Sequence, residues 1–157
     1  MDAQGQLDGF LAKFVPDVEA RAHLLIARMR ARLPGATIMV YDNYNALAIG
    51  FGASGKVSKA VLSLAVFPRW VTLCFLFGAD LPDPHNLLGG KGSRVRHIRL
   101  ADPSLLEDPR VQALIDEAVA RSEPPFDPAA EQMLVIKSIS AKQRPRRPGA
   151  GGPPPSC

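Results

Sequence analysis

The chain is poor in several features, and each shortage excludes a class of protein. It has two cysteines in 157 residues, too few for a disulfide-stapled fold. Cys74 falls inside an apolar run and reads as a buried, inert thiol, while Cys157 ends a tail, so no structural disulfide is expected. No apolar run approaches the ~20 residues that cross a bilayer; the longest, Val71 to Phe77, is strand-sized. The opening MDAQGQLDGF carries an acid where a secretory leader needs basic residues. A cytoplasmic location is therefore expected, with no membrane partner. Metal-ligand spacings such as H-E-x-x-H or C-x-x-C are missing, and so is the G-x-S-x-G elbow of a nucleophilic hydrolase. His23, His85 and His97 are scattered, and Asp80 and Asp83 beside His85 read as a proline-fixed turn. The sequence designates no metal site, no cofactor and no catalytic residue.

What remains is the composition of a globular domain: 46% apolar and 22% charged residues. The formal charge of +4 is unevenly placed. Residues 1–136 carry 14 Lys and Arg against 15 Asp and Glu, and the excess comes from Lys137, Lys142, Arg144, Arg146 and Arg147. One domain over residues 1–143 is expected, followed by a disordered basic, Pro- and Gly-rich tail over 144–157. Those five cations make nucleic acid a possible partner of the tail.

GFGASGKV, residues 50 to 57, matches the glycine pattern of dinucleotide loops and of the kinase loop, and falls one residue short of a Walker loop. The first and last of these need a helix directly after the glycines, but another strand follows. The kinase reading needs V-A-I-K, H-R-D and D-F-G, none of which occurs. A hairpin connection whose glycines supply positive φ is the expected structure.

Periodicity places a helix at Gln6–Phe14. A better one follows Pro16-Asp17, with Val18, Ala22, Leu25, Met29 and Leu33 on one stripe and Arg21, Arg28 and Arg32 on a solvated face. Strands follow at 37–41, 46–51, 60–67, 70–77 and 94–100, and Asp108-Pro109 opens a last helix to Arg121. Residues 133–139 add one more strand. The class is α+β: an antiparallel sheet of five or six strands packed by N-terminal and C-terminal helices. The third and fourth strands are apolar throughout, so both their faces need cover, from helices on one side and from a loop or second subunit on the other.

Three clusters are candidate binding surfaces. Tyr41-Asp42-Asn43-Tyr44-Asn45 packs phenols, amides and a carboxylate into five residues, which suits a ligand or an interface. Arg69-Trp70 lies in a tight turn. The loop over 78–93 is long enough to be functional, and it brings Asp83 and Lys91 toward Arg94, Arg96 and His97, whose guanidinium forks suit a phosphate or carboxylate. The alternative for these arginines is ion pairing with Asp80, Asp83 and Asp102. A non-catalytic module binding a small anion or a protein, possible as a homodimer, is the first functional expectation.

YDNYNALAIGFG (41–52), SLAVFPRWVTLCFLFGADLPDP (63–84), LLGGKGSRVRHIRL (87–100) and LVIKSISAKQRPRR (134–147) together resemble the YdhG-like domain of unknown function, over about residues 20 to 147. The resemblance implies a compact α+β domain with an antiparallel sheet, distantly frataxin-like, and by analogy an iron-chaperone role. It supplies no catalytic residue. Relatives often have an acid where Gly89 stands and a lysine where Ser93 stands.

Overall fold

In the computed structural model, which describes residues 1–56 and 59–148, two helices precede the sheet: α1 (Ala3–Leu11) and α2 (Pro16–Arg32). The strands are β1 (Thr37–Asp42), β2 (Leu47–Gly52), β3 (Ala60–Val66), β4 (Val71–Phe75), β5 (Arg96–Leu100) and β6 (Met133–Ile139), with α3 (Pro109–Ala120) between the last two. Local chemistry sets the helix starts. The Asp2 carboxylate accepts from the Gly5 N–H, so α1 begins before the expected Gln6, and it stops at Leu11 short of Phe14. Asp108 accepts from the Arg110 N–H with Pro109 at the first helical position, as the sequence indicates.

The sheet runs β5-β4-β3-β2-β1-β6. Every neighbouring pair is antiparallel except β1 and β6, which are parallel. The fold is α+β as expected, and its sheet is mixed. Parallel pairing follows from the long return of the chain through α3 to the far edge, which no hairpin could make. On that edge the register shifts between Val40 and Tyr41, so Lys137 is an extra residue in the outermost strand. A bulge with a charge on it blunts an edge against further strand pairing.

The main core lies between the helices and one sheet face: Leu7, Leu11 and Phe14 meet Leu25, Met29, Ile38, Ile49, Phe51, Leu64, Leu73, Phe75 and Ile115. The other face carries a small second cluster, in which Ala46, Ala65, Phe67 and Cys74 pack with Trp70, Leu76 and Val95. All of β3 and β4 is buried in the single chain, so no second subunit is needed to cover them. The arginines of α2 are more engaged than a solvated face implies. Arg28 pairs with Glu107 and Arg32 with Asp116, tying α2 to α3 and the turn before it.

GFGASGKV is a hairpin connection, since β2 and β3 pair antiparallel around it; Val57 and Ser58 lie outside the described residues. The reason for its glycines differs from the expectation. Gly50, Gly52 and Gly55 do not have positive φ. At Gly52 the strands shift register, and a Cβ there would sit 3.2 Å from the Ala60 Cα and 3.3 Å from the Met39 Cε. Close approach, not backbone handedness, requires glycine at that point.

Candidate functional site

The candidate residues separate to opposite ends of the sheet. β1 ends at Asp42 and β2 begins at Leu47, so the Tyr41–Asn45 cluster lies at one end, together with Arg69-Trp70 in the β3–β4 turn. Phe75 pairs with Arg96 at the other end, where Lys91, Arg94, Arg96 and His97 gather. The register sets Asp42 level with Leu100, so Arg96 lies about 13 Å further along the strands and about 19 Å across them. Asp42 and Tyr44 therefore share no pocket with Arg96 and His97. Alternation along a strand is readable from sequence, but which end of a strand meets which loop depends on the pairing.

The Asp42 end is built for stability. Asp42 is 1% exposed and turns toward the helical core, where its Oδ1 accepts from Arg146 at 3.0 Å and Lys13 Nζ stands 3.8 Å from Oδ2. Arg146 is 6% exposed and lies over the Phe14 ring. Its neighbours also bind back: Arg144 donates its N–H to the Tyr44 carbonyl, Arg147 Nε donates to the Lys13 carbonyl, and Gln143 donates to the Asp42 carbonyl. The segment expected to be disordered from Arg144 is thus docked at least as far as Arg147. A buried carboxylate demands a cation, and composition alone hides that a specific tail arginine meets the demand. Of the cations offered to nucleic acid, Arg146 is consumed, whereas Lys137, Lys142, Arg144 and Arg147 are exposed. Arg144 lies over Tyr44, Asn43 and Asn45 are exposed, and the Tyr41 hydroxyl donates to Met39 Sδ, its pKa raised by burial. Trp70 is half-buried under the guanidinium of Arg99, 3.8 Å from its ring, and Arg69 is exposed.

Cys74 is disulfide-bonded, contrary to the expectation of an inert thiol; Cys157 lies outside the described residues.

The opposite end is a cavity region. Residues 78–95 fold down through Leu81, Leu87 and Leu88 onto the core, and Asp83 is spent on the turn, accepting from the Leu87 and Leu88 N–H groups. Gly89 and His97 exchange two backbone hydrogen bonds of 2.8 and 2.9 Å, which closes residues 90–96 into a loop. Regular pairing of β5 with β4 begins at Arg96 rather than the expected Arg94. Arg96 donates to the Val95 and Gly92 carbonyls from inside that loop. Gly90 has φ of +117°, a conformation that disfavours a side chain. None of the arginines pairs with Asp80, Asp83 or Asp102 among the described residues. Lys91, Arg94 and His97 line a shallow cavity of about 330 Å³ with the glycine backbone.

Beside it, under the C-terminal end of α3, opens a cavity of about 500 Å³. Val61, Phe75 and Leu81 are its buried lining and Phe77 is 37% exposed in it. Lys59, Arg94 and Arg121 stand around it, with Asp80 and Glu123. Arg121 is held by Glu117 and by the Asp80 carbonyl, and the Arg94 guanidinium lies 4.6 Å from the Phe77 ring centre. Sequence reasoning found only Arg94 of these. Phe75 and Phe77 look like core, and Lys59 and Arg121 sit far away in the chain. The one available signal was a pair of phenylalanines running directly into the long loop. Among the described residues no three His, Cys, Asp or Glu side chains gather as a metal site, and no helix is long and apolar enough to cross a membrane.

Comparison with protein-family models, with curated proteins and with solved structures finds no match for this chain.

Proposed function

We propose that the protein is a non-catalytic binding module for a small organic anion with an apolar body, held in the 500 Å³ cavity under α3. The observation that carries this reading is an apolar lining (Val61, Phe75, Phe77, Leu81) beside two cations, Lys59 and Arg94, that Asp80 and Glu123 on the same rim leave unpaired. Lys59 and Arg94 make no salt bridge among the described residues. The volume falls in the range of small-molecule sites, which pair a mostly apolar lining with a few placed polar groups. Arg94 would meet the anion while Phe77 covers the body above the buried Phe75.

Thermal denaturation with 1-naphthoate tests it. Ligand at a hundred times its dissociation constant stabilises by about 2.7 kcal/mol, or roughly 5–10 °C for a chain of this size. The shift should disappear in Phe77→Ser and in Arg94→Ala. A flat response of the wild-type protein, or a shift unchanged in Phe77→Ser, would refute the reading.

The iron-carrying role implied by the family resemblance needs several oxygen or imidazole donors at one place. The function is proposed on the cavity rather than on a cation because the described side chains offer an anion receptor. The nucleic-acid reading of the tail is the weaker one: Arg146 is buried on Asp42, and Arg144 and Arg147 are engaged with Tyr44 and Lys13.

A further inference from the structure

Arg94 lines both cavities at this end of the sheet. It shares the lining of the larger with Val61, Phe75, Phe77 and Leu81, and that of the smaller with Lys91, His97, Gly90 and Gly92. Its position is fixed. The Arg94 carbonyl accepts from the Ala79 N–H at 2.9 Å, and its guanidinium rests on the Phe77 ring. The two cavities therefore share one lining residue, and they differ in chemistry. The larger has an apolar floor and a rim of both charges, with Asp80 and Glu123 beside Lys59, Arg94 and Arg121. The smaller offers Lys91, Arg94 and His97 with no carboxylate among its lining residues.

The smaller cavity is also shaped for close approach. The His97 ring lies flat against the glycine pair: a Cβ on Gly89 would stand 3.2 Å from His97 Nε2, and one on Gly90 3.5 Å from Nδ1. A Cβ on Gly92 would meet nothing, so a ligand can reach that backbone. Arg96 does not face a ligand; it holds the loop by donating to the Val95 and Gly92 carbonyls. A lysine, an arginine and an imidazole around open glycine backbone match a group with several terminal oxygens and more than one negative charge. A phosphate monoester supplies three such oxygens and about −1.5 to −2 charge at neutral pH. A carboxylate supplies two oxygens and one charge.

Resting on the reading of the larger cavity as an organic-anion site, we infer that the ligand is a phosphate monoester of an apolar alcohol or phenol. Its phosphate sits among Lys91, Arg94 and His97, its body lies on Phe75 and Phe77, and Arg94 spans the junction.

Isothermal titration of the full chain with 1-naphthyl phosphate, 1-naphthoate, 1-naphthol and inorganic phosphate tests this. The phosphate ester is expected to bind at least about tenfold tighter than the carboxylate, as one or two added charge-assisted hydrogen bonds allow. Lys91→Ala and His97→Gln should each weaken the ester by about tenfold and leave naphthoate within about twofold. Phe77→Ser should weaken both. Lys91 is exposed, so its variant leaves the fold intact, and a circular dichroism melt checks His97→Gln. If naphthoate binds as tightly as the ester and Lys91→Ala affects neither, the phosphate subsite is wrong while the organic-anion reading stands. If inorganic phosphate binds as tightly as the ester, the two-part ligand is wrong. If none of the four binds, both readings fall.

Discussion

Removing either partner of the Asp42–Arg146 pair should destabilise the protein, and by unequal amounts. Asp42 is the last residue of β1, bonded into the sheet on both sides, so it stays buried when Arg146 is cut back. An orphaned buried charge costs about 3–5 kcal/mol. Lys13, at 3.8 Å and half exposed, offsets part of that, and about 2–4 kcal/mol remains for Arg146→Ala. The reverse change behaves differently. Arg146 sits on a terminal segment held by single hydrogen bonds at Gln143, Arg144 and Arg147. In Asp42→Asn the segment can lift off and rehydrate its guanidinium, so the loss should be about 1–2 kcal/mol, the value of the docking itself. At roughly 2–4 °C per kcal/mol for a chain of this size, Arg146→Ala should melt about 4–16 °C lower and Asp42→Asn about 2–8 °C lower. The double variant Asp42→Asn/Arg146→Ala should melt above Arg146→Ala, because the uncompensated charge has gone. A double-mutant cycle by calorimetry measures this. An Arg146→Ala protein as stable as wild type, or a double variant no better than Arg146→Ala, would refute the claim that the tail arginine neutralises a buried carboxylate.

Three further expectations follow from individual residues. The N-cap Asp108 is bonded to the side chain and backbone of Arg110, which lowers its pKa to about 2. A depressed carboxyl stabilises the fold above its ordinary pKa and loses that contribution as pH falls through the folded value. The melting-temperature gap between wild type and Asp108→Ala should therefore be constant above pH ~4 and shrink toward pH ~2; a gap unchanged at pH 2 would contradict the assignment. Gly78→Ala would place a Cβ 2.6 Å from the Arg96 Cβ and 3.0 Å from the Phe75 Cβ, and should cost about 1–3 kcal/mol in a denaturant titration. Gly90→Ala, at φ +117°, should weaken 1-naphthyl phosphate binding several-fold, read by the same titration as above, because the loop must relax out of a conformation costing about 1–3 kcal/mol for alanine.

Most of the fold was legible because the signals behind it are local. The stripe from Val18 to Leu33 and the cap Asp108-Pro109 each depend on neighbours within a few turns of chain. The strands were visible as apolar runs, and the antiparallel pairing of β3 with β4 followed from the short Pro68-Arg69 connection. Two features depended on distant partners and were not visible. β6 could be read as a strand but not as the parallel partner of β1, since nothing in MLVIKSI specifies which edge it joins. Arg146 could be read as a cation but not as the counter-ion of Asp42, 104 residues away.

The candidate site failed and succeeded for the same reason. Tyr41–Asn45 and Lys91–His97 look alike as text, each a polar knot beside a strand, and only the pairing register sends them to opposite ends. Their chemistry then separates them. At the first end the charged groups pair with one another, Asp42 with Arg146 and Lys13, and Arg144 lies over Tyr44, although Asp42 Oδ2 and Arg146 Nε have no hydrogen-bond partner among the described residues. Burial of that pair, with Asp42 1% and Arg146 6% exposed, keeps it from a ligand and makes that end structural. At the second end Arg96 and Asp83 are spent on holding the loop, and they present Lys91, Arg94 and His97 without acid partners beside two phenylalanines. Cations without acid partners beside apolar surface are what a small-molecule site presents, and that asymmetry between the two ends, rather than any motif, is the reason to place function at the second.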